Sequence, residues 1–232
     1  MRDRKRVFED RRHAGAVLAG MLAGKLPAGS RILSIPAGGL PVAATVAETL
    51  GLPLDVAVVS KVTPSWNTEV GYGAVAFDGR VRVDAGRRSA LGVDEPGARK
   101  DVDRAVAKVR RRVERLRAGR GPLVAPGDTA VLVDDGLASG ITMALAAEAV
   151  RGAGAGCIIV AVPTGHESAV TRLAAAVDEV YCANVRSGRS FAVADAYENW
   201  SDLDDAMALE ILDRARRPDG PPVRGPGGPG VP

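Results

Sequence analysis

Two adjacent aspartates, Asp134 and Asp135, follow an apolar run in the stretch AVLVDDGLASGITMALAAEAVR, residues 130–151. Neighbouring carboxylates repel each other, so a fold gains nothing from the pair unless a cation or a set of hydroxyl groups lies beside it. Carboxylate oxygens accept hydrogen bonds from a vicinal diol, such as the 2′- and 3′-hydroxyls of a ribose, directly or through Mg²⁺. The pair therefore predicts a binding site for a polar ligand, with both carboxylates facing solvent rather than the core.

A loop of small residues follows the two aspartates and leads into a predicted helix. It consists of Gly136, Leu137, Ala138, Ser139, Gly140, Ile141 and Thr142. Glycines allow a backbone to approach a ligand closely, and the N–H groups at a helix N-terminus bind anions. The alternative interpretation of the acid pair is a helix cap and turn. The order of a diol-binding pair and a phosphate-binding loop favours a site for a ribose 5-phosphate.

Composition restricts the class of protein. The 232 residues are 46% hydrophobic, enough for one α/β domain with room for a small appendage. A net charge of +3 suits an anionic small molecule, and an aromatic content of 3% argues against a stacking surface for nucleic acid. Cys157 and Cys182 lie in apolar runs and predict buried thiols in a reducing compartment. The N-terminal apolar run is too short to span a membrane, so we expect a cytoplasmic protein with no membrane partner.

Short strands alternate with helices along most of the chain. The predicted strands are 31–36, 54–61, a hairpin around Asp78-Gly79, 130–133, 157–163 and 178–185, and the predicted helices include 7–25, 41–51, 94–118 and 201–216. This alternation predicts an α/β fold, a doubly wound and mostly parallel sheet flanked by helices, with a small cap from the N- and C-terminal segments. Residues 1–216 form the predicted domain, and the Pro/Gly-rich residues 217–232 a disordered tail.

The unusual residues fall at the carboxyl ends of the predicted strands. Ala37, Gly38 and Gly39 follow one strand, Lys61 ends the next, and Asp134-Asp135 end another. Ligands of open α/β sheets bind outside these strand ends. The residues are therefore expected to meet at one edge of the sheet, although Lys61 is equally consistent with a solvated strand end.

The acid pair and its loop resemble the binding signature of the type I phosphoribosyltransferases for 5-phosphoribosyl 1-pyrophosphate (PRPP): apolar residues, paired acids, a small-residue loop and a threonine. Further segments resemble one bacterial and archaeal branch of that family. They are DRRHAG at 10–15, PAGGLPVA at 36–43, LDVAVVSK at 54–61, and Asn67 and Glu69 before GAV at 73–75. The resemblance covers residues 7–215, nearly everything except the tail.

This resemblance implies a Mg²⁺-dependent transfer of the phosphoribosyl group from PRPP to a nitrogenous base, with release of pyrophosphate. Asp134 and Asp135 would hold the ribose hydroxyls and, directly or through water, the metal, while residues 136–142 would bind the 5′-phosphate. Ala37, Gly38, Gly39 and Lys61 would face the pyrophosphate. Lys61 and Asp135 would be catalytic, Asp135 near the nucleophile. The partners implied are PRPP and a small nitrogenous acceptor, and a homodimer is left open.

Two positions depart from the branch, which usually has arginine where Ala37 and Ser60 stand. Both departures remove positive charge from the pyrophosphate side, so Ala37→Arg is expected to restore a contact to that group. They also keep a second interpretation open, a non-catalytic protein that binds PRPP or a nucleotide and regulates nucleic acid through the basic run KVRRRVERLR, residues 108–117. That run is more often a solvated helix face. A relative that hydrolyses a phosphoribosyl group or binds phosphate is a third alternative.

Overall fold

The computed structural model describes residues 1–68, 70–188 and 190–215. The elements follow one another in this order: α1 (Arg11–Leu22), β1 (Arg31–Ser34), α2 (Gly39–Leu50), β2 (Leu54–Val56), β3 (Val59–Val62), β4 (Gly73–Ala76), β5 (Val81–Val83), α3 (Ala85–Ala90), α4 (Glu95–Leu116), β6 (Thr129–Val133), α5 (Ile141–Gly152), β7 (Cys157–His166), α6 (Glu167–Ala174), β8 (Glu179–Arg186) and α7 (Asp205–Ala215). Glu69 and the predicted tail at 217–232 lie outside the described residues, so what was predicted of them stays a prediction.

The main sheet has five parallel strands in the order β2-β1-β6-β7-β8. All five residues of the central strand β6 are buried. Val131 and Val133 pack on the face covered by α1 and α2, and Ala130 and Leu132 pack on the face covered by α5. A strand with apolar side chains on both faces requires helices on both faces. The predicted doubly wound α/β fold is confirmed.

A second, antiparallel sheet of β3, β4 and β5 lies beside the first. The predicted hairpin at Asp78-Gly79 is confirmed, and Gly79 supplies the positive φ of 88° that the turn requires. The prediction of one strand over 54–61 was wrong, because the chain leaves the main sheet after Val56 and begins β3 at Val59. Residues 56–59 are all buried apolar side chains, and periodicity cannot reveal a break inside a uniformly apolar run.

Two helices illustrate how capping residues set boundaries. α4 begins after Asp94, whose side chain accepts a hydrogen bond from the Gly97 N–H, close to the predicted start. α1 begins four residues later than predicted, because Asp10 caps it through the His13 N–H. The residues before that cap run alongside the segment near Tyr197 instead, and the Phe8 ring packs on the Tyr197 ring. The N-terminal segment and the segment near Tyr197 thus pack together in the core cluster on the sheet face covered by α1 and α2.

Candidate functional site

The carboxyl ends of the central strands open into a cavity of about 690 Å³. Of the residues predicted to bind a ligand, Gly38, Lys61, Asp134, Asp135, Ala138 and Thr142 line it. An adjoining pocket of about 300 Å³ is lined by the whole loop 136–142 together with Lys61 and both aspartates. The structure therefore brings the acid pair, the small-residue loop and the lysine to one place, as the strand-end positions predicted.

The acid pair is held by contacts from three parts of the chain. The Asp135 N–H donates to Asp134 Oδ1 at 2.9 Å. The Nε and Nη2 atoms of Arg11 both lie 2.9 Å from Asp135 Oδ2. The Tyr197 hydroxyl donates to the Asp135 carbonyl oxygen at 2.6 Å. Arg11 thereby orients the Asp135 side chain, Tyr197 holds its backbone, and the Asp134 side chain accepts from one backbone N–H.

Burial raises the pKa of both carboxyls. For Asp134 burial is the larger cause and the neighbouring Asp135 charge the second, so its pKa lies well above the usual range. For Asp135 burial also raises the pKa, and Arg11 opposes that shift. Both side chains face the open cavity and not the core, as expected, but their exposure is small, and the Asp135 side chain is only 14% exposed. Such a pair gains free energy when a cation or a set of hydroxyl donors reaches it.

Two glycines allow the loop after β1 to touch the acid pair. A Cβ atom on Gly38 would lie 2.2 Å from Asp135 Oδ2, and one on Gly39 would lie 2.8 Å from the Val133 carbonyl oxygen. A third contact of this kind occurs at Gly136, where a Cβ atom would lie 2.5 Å from a methyl group of Val193. These positions require glycine because a carboxylate, a backbone carbonyl and a valine methyl group, respectively, lie too close to leave room for a Cβ atom.

The small-residue loop is fixed to β7 by its backbone. The Leu137 N–H donates to the Thr164 carbonyl at 2.9 Å, and the His166 N–H donates to the Leu137 carbonyl at 2.8 Å. Gly140, with φ of 75°, precedes α5 and has no side chain to offer to the N–H groups of its first turn. Leu137 itself is buried in the core, so only its backbone faces the site. This geometry suits an anion bound by backbone N–H groups at the start of α5.

The part of the cavity lining that α4 contributes carries cations that the sequence did not assign to the site. Arg104, Lys108 and Arg112 line the cavity together with Lys61. Within the basic run, Arg110, Arg111 and Arg115 are exposed, as expected of a solvated helix face, whereas Lys108 and Arg112 also line the cavity. Arg104, Lys108 and Arg112 are spaced four residues apart, which places them on one face of α4. This periodicity could have indicated from the sequence that they share a surface.

The two positions that lack arginine differ in their surroundings. Ala37 is 8% exposed, packs in an apolar cluster with Leu40 and is not one of the residues that line the cavity. Ser60 is 6% exposed and lines the cavity beside Lys61. The residues after β1 therefore face the cavity through Pro36 and Gly38, and the prediction that Ala37 and Gly39 also face it was wrong, since neither lines the cavity or the adjoining pocket.

A magnesium ion fits the donor set at the acid pair. Within 1–68, 70–188 and 190–215 no group of three or more His, Cys, Asp or Glu side chains is arranged to hold a metal. Mg²⁺ in phosphate-processing sites is usually bound by one or two carboxylates together with substrate oxygens. Asp134 and Asp135 supply hard oxygen ligands of that kind, so they would hold the ion only together with a substrate.

Comparisons with known proteins agree with this geometry. The family model described as the phosphoribosyl transferase domain matches residues 30–195. A Mycobacterium tuberculosis protein named "Putative phosphoribosyl transferase" is 38% identical over 216 residues, which cover 91% of this chain and 48% of that protein. The chain thus spans about half the length, 48%, of the curated relatives it matches. The crystal structure of TT1426 from Thermus thermophilus is 36% identical, with a TM-score of 0.69, over 88% of this chain and 97% of that one.

An α/β fold with an acid pair and a small-residue loop at the strand ends defines a phosphoribosyltransferase-type protein. The chain belongs to the phosphoribosyl transferase domain family. Across the described part of the chain, no helix has the length and apolar character needed to cross a membrane.

Proposed function

We propose that the protein is a Mg²⁺-dependent phosphoribosyltransferase that transfers the 5-phosphoribosyl group of PRPP to a nitrogenous base and releases pyrophosphate. The observation that carries this proposal is the acid pair, which is followed directly by an anion-binding loop and faces a cavity with a cationic wall. A ribose 5-phosphate needs the first two features, and a pyrophosphate group needs the third.

Each part of the site has a role in this reaction. Asp134 and Asp135 accept hydrogen bonds from the ribose hydroxyls and hold Mg²⁺, directly or through water. The backbone of residues 136–142 and the hydroxyls of Ser139 and Thr142 bind the 5′-phosphate. Gly38 lets the backbone after β1 approach the pyrophosphate, and Lys61 neutralises charge on it. Bound Mg²⁺ would supply further positive charge to that leaving group.

The chemical step breaks the bond between C1 of the ribose and a pyrophosphate oxygen, and forms a bond from C1 to a nitrogen of the acceptor. Its transition state resembles an oxocarbenium ion, so positioning and charge stabilisation supply most of the catalysis. Asp135 carries a negative charge near this centre, and Arg11 fixes its orientation. We assign the catalytic roles to Lys61 and Asp135.

The partners in this proposal are PRPP and a small nitrogenous acceptor. Nucleic acid is not one of them, because aromatic residues, which would stack on bases, make up only 3% of the chain. The two free thiols, Cys157 and Cys182, fit a reducing cytoplasmic location. A homodimer remains compatible with the proposal.

The test is incubation with PRPP and Mg²⁺ and a panel of purine, pyrimidine and pyridine bases, with pyrophosphate release as the readout. We expect release with at least one base, and about a hundredfold weaker PRPP binding in the variant that combines Asp134→Asn with Asp135→Asn. Asp103→Asn, on the exposed side of α4, is the control. Equal PRPP affinity in the wild type and the double variant would contradict the assignment of the ribose site.

A second candidate function is a non-catalytic regulatory protein that binds PRPP or a nucleotide in the same cavity. The observation that favours it is the absence of arginine at positions 37 and 60. Tight PRPP binding with no pyrophosphate release for any base would select this candidate. Binding together with release selects the enzyme.

A further inference from the structure

The cavity wall formed by α4 carries more positive charge than its own carboxylates neutralise. Arg112 forms an ion pair with Asp205 of α7, with an N–O distance of 2.7 Å. Arg104 forms an ion pair with Asp101 of its own helix. Lys61 and Lys108 form no ion pair with a carboxylate among the residues that the structure describes. These two ammonium groups therefore remain available to an anion in the cavity.

The two lysines are placed close to each other by different elements. Lys61 lies on β3, and α4 packs against that strand. Burial lowers the pKa of Lys108 and the nearby Arg112 charge lowers it further, Asp205 opposes this shift, and the charges of Arg111 and then Lys61 make smaller contributions that lower it. Like charges held together in this way raise the free energy of the unliganded protein, and a bound polyanion would relieve the repulsion.

Arg112 has a different role from the two lysines. Its side chain is 14% exposed, and besides Asp205 it donates to the Pro36 carbonyl oxygen at 3.5 Å. It thus connects α4 and α7 to the residues after β1. Arg112 is therefore a positioning residue that ties α4 to α7 and to the Pro36 carbonyl beside the cavity.

We propose that Lys108 of α4, together with Lys61, binds the pyrophosphate group of PRPP and supplies the positive charge that the arginine missing at Ser60 would provide. This inference rests on the proposed function, because it assigns residues to one end of the proposed substrate. The sequence motifs assign only Lys61 and the residues after β1 to the pyrophosphate. The inference adds a positive charge from α4, a segment that those motifs do not include.

The direct test is calorimetric titration of the full chain with inorganic pyrophosphate and Mg²⁺. We expect Lys108→Gln to weaken pyrophosphate binding about tenfold, since a charge-assisted hydrogen bond contributes roughly that factor. Lys108→Arg should retain most of the affinity because it keeps the charge. Lys100→Gln is the matched control, an exposed lysine on the same helix that is not one of the cavity-lining residues.

Two further readouts separate ligand binding from a structural role. The melting temperature of unliganded Lys108→Gln should equal or exceed that of the wild type, because the substitution removes repulsion. The affinity of the wild type should fall with added salt more steeply than that of Lys108→Gln. Equal pyrophosphate affinity in both proteins, or wild-type protein that binds no pyrophosphate, would overturn the inference.

Pyrophosphate binding tests the role of Lys108, and pyrophosphate release from PRPP tests the proposed transfer reaction. If the wild type binds pyrophosphate through Lys108 but releases none from PRPP with any base, the cationic wall is supported and the transfer reaction is contradicted. If release occurs and Lys108→Gln binds and releases pyrophosphate as the wild type does, the transfer reaction is supported and the wall on α4 is wrong.

Discussion

Strand β6 has one aspartate before its first residue and two aspartates after its last. The pKa shifts of these carboxyls have opposite directions at the two ends of the strand. At the amino end, a hydrogen bond from the Ala125 N–H and the Arg31 guanidinium lower the pKa of Asp128. At the carboxyl end, burial raises the pKa of Asp134 and of Asp135. The same residue type thus stabilises the fold at one end and is held for a ligand at the other.

The difference follows from which donors each end offers. The amino end of β8 repeats the pattern, because Asp178 accepts from the Ile158 N–H and from Arg151. At the carboxyl end of β6, the Asp134 carboxylate accepts from only one backbone N–H among the described residues, that of Asp135. Charge that is satisfied within the protein contributes to stability, whereas charge that is left incompletely satisfied is available to bind a substrate.

The largest difference between the two ends should appear when an arginine is removed. Arg11→Met leaves Asp135 buried without its cation, so we expect a loss of about 3 kcal/mol in the free energy of unfolding. Arg31→Met removes the partner of Asp128 at the other end, where the pair is partly exposed and solvent screens it. Its effect should be much smaller. Urea unfolding of both variants measures the difference, and equal losses would show that the two ends are not distinct.

The next effect concerns affinity at the carboxyl end. Gly38→Ala places a methyl group against Asp135 Oδ2 and must displace the acid pair or the loop. A displacement near 1 Å lowers function about a hundredfold, so PRPP affinity should fall by that order. Gly20→Ala is the matched control, because a Cβ atom there meets nothing within 4 Å. Unchanged PRPP affinity in Gly38→Ala, measured by titration, would remove the contact from the proposed site.

The sequence predicted those parts of the site that are contiguous or that end a strand. Asp134, Asp135 and the loop 136–142 form one uninterrupted motif, and Gly38 and Lys61 follow from the rule that ligands bind at the carboxyl ends of strands. Arg11 could not be assigned in this way, since 124 residues separate it from Asp135. The adjacent arginines Arg11 and Arg12 are visible in the sequence, but only tertiary packing brings Arg11 to Asp135.

The fold was predictable to a similar extent and for similar physical reasons. Apolar residues repeat with different spacings in strands and in helices, so both kinds of element could be located in the sequence. Their alternation along the chain then indicated the parallel sheet. The second sheet was missed as a unit, since β3 begins inside an apolar run that shows no period. Tyr197 and Lys108 reached the site through the packing of distant segments, which local sequence does not specify.

A third substitution tests whether a positive charge introduced near the carboxyl ends of the strands strengthens pyrophosphate binding at any position, or only where the side chain lines the cavity. Ala37→Arg was expected to tighten pyrophosphate binding, but the structure places Ala37 in an apolar cluster. We now expect overpacking to lower the free energy of unfolding by about 1–3 kcal/mol, with no gain in pyrophosphate affinity. Unfolding in urea and titration with pyrophosphate measure the two quantities. Tighter binding without destabilisation would show that the side chain at position 37 reaches the cavity after all.

The smallest expected effect is on the free energy of unfolding, which Asp134→Asn and Asp128→Asn should change in opposite directions. The pKa of Asp134 is raised above its ordinary value of 3.8, so the folded protein binds more protons than the unfolded chain as pH rises above that value. Stability therefore falls as pH increases through the raised pKa. Asp134→Asn removes this loss and keeps an oxygen that can accept from the Asp135 N–H, so it should stabilise the protein at neutral pH by about 1 kcal/mol. The gain should shrink toward pH values of about 4, where the unfolded chain also binds the proton.

Asp128→Asn should act in the opposite direction. The lowered pKa of Asp128 means that the folded protein binds fewer protons than the unfolded chain, so its contribution to stability is present above the ordinary pKa of 3.8 and is lost as pH falls. The substitution should slightly destabilise the protein at neutral pH and have no effect in strong acid. Thermal unfolding of both variants across this range of pH gives the two signs. If both substitutions destabilise at neutral pH, the carboxylates at the two ends of β6 serve the same structural purpose, and the acid pair loses its distinction as a site held ready for ligand.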